Sequence, residues 1–385
     1  MTVSFDTRTM NPNDPELQGL VDRVQAANAA GTKLCIRGGG SKAFYGEAAV
    51  GEVLDTRALR GTSSYEPTEL VVTTRCGTPL AELEALLATK GQCLPFEPPH
   101  FGAAGTHLGN QAAERGATVG GMVAAGLAGP SRAAVGSVRD YVLGATMLNG
   151  RGEVLTFGGQ VMKNVAGYDV SRLLAGSLGT LGVILEVSLK VLPVAPATLT
   201  LALEMDEVTA LASLNAWGGQ PLPVNASAWW NGSLLLRLSG AVAAVHAART
   251  RIGGEVVDVA AAASFWDGLR NQHDEYFVKA QAEVLGGAAL WRLSVPQTAP
   301  PLALAGDLLV EWGGAQRWLC STLRPAAVRE ATARVGGHAT LFMAQDKSAG
   351  VFAPLSAPLA RIHRELKKSF DPSGVFNPGR LYPGL

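Results

Sequence analysis

The sequence predicts an α+β protein of two units in one chain. Three observations carry this expectation. A short apolar run at 33–37 ends abruptly in Gly38-Gly39-Gly40-Ser41-Lys42, and helix-like and strand-like runs alternate around it as far as about residue 195. From about 197 to 345 the pattern changes to strand pairs followed by helices, the order expected of a sandwich with helices on one side of a sheet. Pro193 and Pro196 stand between the two textures. With 385 residues and 47% hydrophobic content, the chain can bury a core large enough to divide between domains.

Taken in order, residues 13–30 read as an amphipathic helix. Asp14 can cap it, Pro15 suits its first turn, Leu17, Leu20, Val21, Val24 and Ala27 share a face, and Gly31 stops it. The strand at 33–37 then runs into the glycines. Glycine tolerates positive φ, so consecutive glycines can turn their N–H groups toward one point and form a nest for an anion. Ser41 can add a hydroxyl, and Arg37 and Lys42 add positive charge. On these residues alone a pyrophosphate cradle and a glycine-rich turn are both open. There is no G-x-x-x-x-G-K-[ST] and no G-x-G-x-x-G opening a helix, so neither a P-loop nor a Rossmann unit is expected. A short strand is expected at 53–55 and a β-branched one at 69–75. Thr78-Pro79 opens a helix with Leu80, Leu83, Leu86 and Leu87 inward, closed by Gly91. The loop from Pro95 to Pro99 cannot be a central strand.

Residues 116–142 are dominated by Gly, Ala and Val. Tight packing of small residues is one reading. The other is close approach of backbone to a flat ring, favoured by irregular glycine spacing (Gly116, Gly120, Gly121, Gly126, Gly129, Gly136) that weakens a helix by about 0.5–1 kcal/mol at each position. A strand at 141–148, the turn Asn149-Gly150 and a return strand at 153–157 follow. Lys163-Asn164 and Gly167-Tyr168-Asp169 form a polar island, Asp169 or Ser171 caps a helix at 172–175, and the glycines 176, 179 and 182 lead into a strand at 183–191. In the second unit, strands are expected at 197–205, 227–230, 233–239, 255–259, 288–295, 308–319 and 338–343. Helices are expected at 207–217, 241–252, 262–277 and 325–335, with a last amphipathic helix at 355–370. All seven tryptophans fall in this unit, where packing explains most of them.

Composition removes several function classes. The 32 basic and 32 acidic residues balance and no basic run stands out, so no nucleic-acid partner is expected. No apolar run spans a bilayer, and the first residues carry no secretory pattern. The four cysteines contain no C-x-x-C, which fits a reduced cytoplasmic protein and gives no iron–sulfur spacing. The six histidines form no cluster of metal-ligand spacing, so no metal site is expected.

These stretches, in this order, resemble the vanillyl-alcohol-oxidase type of FAD-linked oxidoreductase. The matching motifs are Ile36 to Lys42, Thr118-Val119-Gly120-Gly121, Gly136 with Val138-Arg139-Asp140, the Lys163 to Asp169 island, and Gly176 to Val183. The tail Phe370 to Gly379 resembles the D-lactate/glycolate oxidase branch. The short length, the run 312–318 and the run 336–341 are similar to the smaller, flavin-binding subunits of glycolate oxidases.

The resemblance implies a bipartite PCMH-type FAD-binding domain at 1–195, an α+β cap domain at 196–345, and a C-terminal helix and tail at 346–385 that return to the FAD domain. It implies non-covalent FAD, with Arg37, Gly38, Gly39, Gly40, Ser41 and Lys42 at the pyrophosphate. Pro99, Thr118, Val119, Gly120, Gly121, Ala124, Gly126, Gly136, Val138 and Asp140 belong to the remaining FAD-binding set, with Gly182 and Val183 at the adenine end and Asn377 near the flavin. The histidine-rich metal site of full-length relatives has no counterpart here, which leaves His338, Tyr168 and Lys163 as candidates for catalysis. The expected function is that of an FAD-binding subunit of a glycolate (2-hydroxy acid) oxidase or dehydrogenase, with a second flavin subunit and an iron–sulfur subunit as partners. The expected location is the cytoplasm, with peripheral membrane association through the complex. A self-sufficient D-lactate-type dehydrogenase and a non-catalytic assembly subunit are the alternatives.

Overall fold

Capping decides where the first helix lies. Asp14 accepts a hydrogen bond from the Glu16 N–H, and Gly31 turns left-handed at φ 70°, so α1 (Pro15–Ala30) buries Leu17, Leu20, Val24 and Ala27 as its spacing indicates. The computed structural model describes residues 11, 13–102, 116–159 and 169–385. β1 (Leu34–Arg37) pairs in parallel with β2 (Glu52–Asp55). There follow β3 (Thr62–Glu66), β4 (Val71–Arg75), α2 (Leu80–Ala88), β5 (Gln92–Cys93), α3 (Val119–Ala125), α4 (Arg132–Val135) and α5 (Val138–Tyr141). β6 (Val142–Leu148), β7 (Val154–Gly158), β8 (Val183–Lys190) and β9 (Leu192–Pro193) complete the first unit. An antiparallel sheet in the order β3-β4-β8-β6-β7 forms its centre. β3 gave no signal in the sequence because it is a largely exposed, polar edge strand, Thr-Ser-Ser-Tyr-Glu. The helix expected at 172–175 is a 3₁₀ turn, Ser171–Leu174.

The second unit runs β10 (Ala197–Glu204), α6 (Glu207–Gly218), β11 (Val224–Trp230), β12 (Ser233–Gly240), α7 (Val242–Ile252), β13 (Glu255–Val256), α8 (Val259–Asn271) and α9 (Glu275–Leu285). It continues with β14 (Ala289–Ser294), β15 (Asp307–Glu311), β16 (Gln316–Ser321), α10 (Pro325–Arg334) and β17 (His338–Met343). Its eight strands form one antiparallel sheet in the order β13-β10-β12-β11-β15-β16-β14-β17. α11 (Ala357–Phe370) and the tail follow.

Three expectations for this unit need correction. The single helix at 262–277 is two helices, because Gln272 adopts φ 59° and Asp274 then caps α9 by accepting from the Phe277 N–H at 2.9 Å. The single strand at 308–319 is two, because Trp312, Gly313 and Gly314 all take positive φ and fold β16 back on β15. Helices cover both faces of the sheet and not one. On one face Leu201, Leu234, Leu236 and Leu238 pack on α6 and α7, while Trp291, Leu319 and Leu341 pack beside Val328 of α10. On the other face Leu290, Leu309, Trp318 and Phe342 pack on α8 and α9 and on Tyr45, Phe101, Ala125 and Leu127 of the first unit. Arg237 of β12 crosses to Glu97 at 2.8 Å, and Arg270 of α8 pairs with Glu84.

The tail is bound into the first unit. Leu34 N–H donates to Val375 O at 2.7 Å, Asn377 N–H donates to Leu34 O at 2.9 Å, and Ile36 N–H donates to Asn377 Oδ1 at 2.8 Å. Asn377 Nδ2 reaches Leu178 O at 2.6 Å. Behind this seam Lys367 Nζ donates to Asp371 Oδ2 at 2.6 Å, to Thr180 O at 2.7 Å and to Phe376 O at 2.7 Å. Asp371 also accepts from the Val375 and Phe376 N–H groups. Removing one member of a buried pair leaves the other charge uncompensated, at a cost of about 3–5 kcal/mol. Asp371→Ala is therefore expected to lower unfolding free energy by about that amount in urea titrations, and a loss below about 1 kcal/mol would rule out this role for the pair.

Candidate functional site

The glycine run sits where β1 ends, and the tail decides its shape. Arg37, Gly38, Gly39, Gly40, Ser41 and Lys42 form one wall of a cleft of about 700 Å³, part of it open solvent. Thr118, Gly121, Ala124 and Ala125 of α3 form the facing wall, and Leu178, Asn377 and Arg380 close it. The loop approaches α3 so closely that a Cβ on Gly38 would lie 2.2 Å from Thr118 Oγ1. Gly40 takes φ 81°, open to glycine at no steric cost. Arg380 donates to Ala43 O, Tyr45 O and Glu47 O, and Lys347 donates to Phe44 O, so the segment after the glycines is held by its carbonyls.

The electrostatics of the cleft are one-sided. Among the described residues three cations, Arg37, Lys42 and Arg380, line it, and no carboxylate does. Burial, reinforced by Arg270 and opposed by Glu84, brings the Lys42 ammonium down to about 7. Its amine lies 3.4 Å from Ser41 Oγ and 5.4 Å from the Phe101 ring centre. A bound anion offsets that desolvation. An adjoining inner cavity has uncharged walls, among them Thr56, Cys76, Gly120, Gly179, Gly182 and Ile184, and shares Ile36, Gly38, Gly121, Ala124, Leu178 and Asn377 with the cleft. A diphosphate suits the first compartment and an uncharged ring suits the second, so the residues present fit FAD.

The structure thus gathers Arg37, Gly38, Gly39, Gly40, Ser41, Lys42, Thr118, Gly120, Gly121, Ala124, Gly182 and Asn377 around the cleft and the inner cavity that adjoins it. Others of the expected set lie elsewhere. Val119, Val138 and Val183 are fully buried in the core of the first unit. Gly126 caps α3 in a left-handed turn, where a Cβ would lie 2.8 Å from Gly176 N. Gly136 abuts Asp140, whose carboxylate accepts from the Ser137 N–H at 2.8 Å and caps α5. Several glycines of 116–142 therefore serve protein packing: Gly120 against Cys76 and Gly129 against Glu97 as well as Gly126. Pro99 lines a different cavity, between the two units. His338 stands exposed at the start of β17, with its pKa lowered by desolvation and by Arg292. Lys163 and Tyr168 lie outside the described residues.

Sequence reading overlooked Leu178, which sits inside the quoted run 176–183, and Arg380, which stands one residue past the quoted tail motif. It also overlooked Cys35 and Cys76, which reach the walls of the cleft and inner cavity from outside the glycine run. Burial pushes the Cys76 thiol up to about 12, leaving it an unreactive thiol. Among the described residues no group of three or more His, Cys, Asp or Glu side chains could hold a metal ion, and no helix is long and apolar enough to cross a membrane.

Comparison with known proteins agrees with this geometry. Residues 16–158 match the family model described as FAD binding domain. Glycolate oxidase subunit GlcE of Escherichia coli (strain K12) is 48% identical over 368 residues, covering 96% of this chain and 98% of that protein. D-2-hydroxyglutarate dehydrogenase of Xanthomonas citri pv. viticola is 28% identical over 54% of this chain, and the match spans 43% of that longer protein. Among solved structures, alkyldihydroxyacetonephosphate synthase superposes with a TM-score of 0.63 at 14% identity, over 94% of this chain and 74% of that one, which speaks to fold alone. With a near full-length relative at this identity, the chain belongs to the family of FAD-linked oxidoreductases that contains the glycolate oxidase subunit GlcE.

Proposed function

We propose that this chain is the FAD-carrying subunit of a glycolate oxidase, working beside a second flavin subunit and an iron–sulfur subunit. The observation that carries the proposal is the cation-lined cleft at the end of β1, with an uncharged inner cavity adjoining it. Gly38, Gly39, Gly40 and Ser41, with Arg37 and Lys42, hold the pyrophosphate in this reading. Gly121 and Ala124 leave room beside it for the flexible chain and ring, Gly182 borders the adenine compartment, and Asn377 fixes the cleft by joining β1 to Leu178. When bound, FAD supplies an acceptor for the two electrons of a 2-hydroxy acid. The residues of this chain hold it, exclude water from its inner half and keep positive charge at its phosphates. In this reading any attachment to a membrane is made through the partner subunits.

Three measurements test this reading. Co-purification of the tagged chain with its partners is expected to yield FAD with this subunit and iron with another. A purified chain that takes up no FAD overturns the proposal. The flavin is expected to be non-covalent and to leave the protein completely on acid precipitation, whereas colour retained in the pellet would show covalent attachment. Gly121→Leu places a side chain in the cleft, where only Thr118 Oγ1 lies near a Cβ, and is expected to abolish FAD uptake with circular dichroism unchanged.

Lys42 gives the binding a pH signature. Its amine is charged below about 7 without ligand, and an adjacent diphosphate raises that value. FAD affinity is therefore expected to fall as pH rises above about 7. Lys42→Met should bind more weakly at pH 6 and lose most of this dependence. Equal pH slopes for the two proteins would remove Lys42 from the phosphate site.

A further inference from the structure

The loop that follows the glycine run is gripped by a lysine 303 residues further along the chain. Loop 43–47 grows directly out of the cradle. The Ala43 N–H donates to Gly40 O at 3.0 Å, and the Tyr45 N–H donates to Lys42 O at 3.1 Å. Its carbonyls are taken by two cations. Arg380 of the tail donates to Ala43 O, Tyr45 O and Glu47 O, and Lys347 donates to Phe44 O and, at 3.4 Å, to Gly46 O. A Cβ on Gly46 would lie 2.8 Å from Leu178 Cδ1, so the loop also backs onto a wall of the cleft.

Lys347 stands just past β17, in a segment fastened to the second unit. Val351 O accepts from the Leu341 N–H of β17 at 2.8 Å. Arg329 of α10 donates to Ala349 O at 2.7 Å and to Gly350 O at 2.5 Å. The segment makes a return contact with the loop, because the Val351 N–H donates to Glu47 Oε1 at 2.6 Å. Rings close the joint. Phe44 and Tyr45 each lie 5.4 Å from Phe342 of β17 between ring centres, and Tyr45 lies 5.6 Å from Phe352. Ring pairs at this separation are favourable beyond the area they bury. Burial and then Arg380 bring the Lys347 ammonium down to about 8, with Glu47 opposing them. A partly desolvated ammonium is tolerated where acceptors replace its water, and the two loop carbonyls are those acceptors.

Loop 43–47 thus has the cofactor cleft on one side and the second unit on the other, and what fixes the loop serves both. We propose that Lys347 is a positioning residue for the cofactor, through which the second unit holds the glycine cradle in the shape that receives the pyrophosphate. Among the described residues that line the cleft and the inner cavity, none comes from 343–352, so Lys347 acts through Phe44 O and Gly46 O. By linkage, whatever this clasp adds to FAD affinity, bound FAD returns to the clasp. The segment 347–351 therefore tightens when FAD binds, although it does not border the ligand. The inference rests on the reading of the cleft as the FAD site.

The test follows amide hydrogen exchange and FAD affinity on the full chain, the affinity by quenching of flavin fluorescence. FAD is expected to slow exchange in two places, at 38–47 beside the ligand and at 347–351 away from it. In Lys347→Met, FAD affinity should fall at least about fivefold, and FAD should still protect 38–42 but no longer 347–351. Lys347→Arg keeps a cation able to donate to both carbonyls and should recover most of the affinity and the distant protection. A lysine that only stabilised the fold would weaken the chain in urea without separating the two protected segments. Exchange at 347–351 unmoved by FAD in the unaltered chain overturns the inference, and that measurement needs no variant to fold. Equal FAD affinities for Lys347→Met and the unaltered chain overturn it too. FAD uptake with 347–351 unmoved defeats this inference alone, whereas a chain that takes up no FAD defeats the reading beneath it as well.

Discussion

A buried lysine ties the C-terminal tail to the loop that leads into β8. Lys367 places its ammonium among a carboxylate, Asp371, and the carbonyls of Thr180 and Phe376, which satisfies all three donors. Such a charge is tolerated in a core only when it is paired and fully hydrogen-bonded. Asp371 in turn holds the Val375 and Phe376 N–H groups, so the last turn of α11 and the tail form one rigid corner. From that corner Asn377 reaches β1 on one side and Leu178 on the other. The glycine run inherits its position from this chain of contacts, because β1 delivers it and Asn377 fixes β1.

Charge is distributed to match. The cleft beyond β1 is lined by cations, while the carboxylates of Glu84 and Glu97 are paired elsewhere: Glu84 with His100 and Arg270, Glu97 with Arg237. The Arg237 and Arg270 pairs join the proline loop and α2 to the second unit, so the contacts that seat it also neutralise these two carboxylates. Lys42 stands at the meeting point, where burial and the Arg270 charge lower its pKa.

Much of the first unit is legible in sequence because its signals are local. Asp14, Pro15 and Gly31 mark a helix, and three glycines after an apolar strand mark a loop that needs unusual backbone. β3 was silent because an exposed edge strand needs no apolar face, and 262–277 was misjudged because Gln272 takes a left-handed conformation that glycine or asparagine usually announces. The roles of small residues at 116–142 were only half legible: sequence shows that something comes close, but not whether it is ligand or, as for Gly120 and Gly126, neighbouring protein. Arg292, Glu311 and Gln272 carried no signal at all. They are far apart in sequence; strand register aligns Arg292 and Glu311, and the break between α8 and α9 adds Gln272 to the same wall of the cavity between the units.

The seam between Leu34 and Phe376 has a consequence for how the protein is made. Its partners are separated by nearly the whole polypeptide, and contacts of such span must wait for loop closure. On a ribosome adding about 5–20 residues per second, Asn377 emerges well after the glycine run, 341 positions behind Ile36. The nascent chain therefore carries a half-built cleft until the tail emerges, because Asn377 is what joins β1 to Leu178.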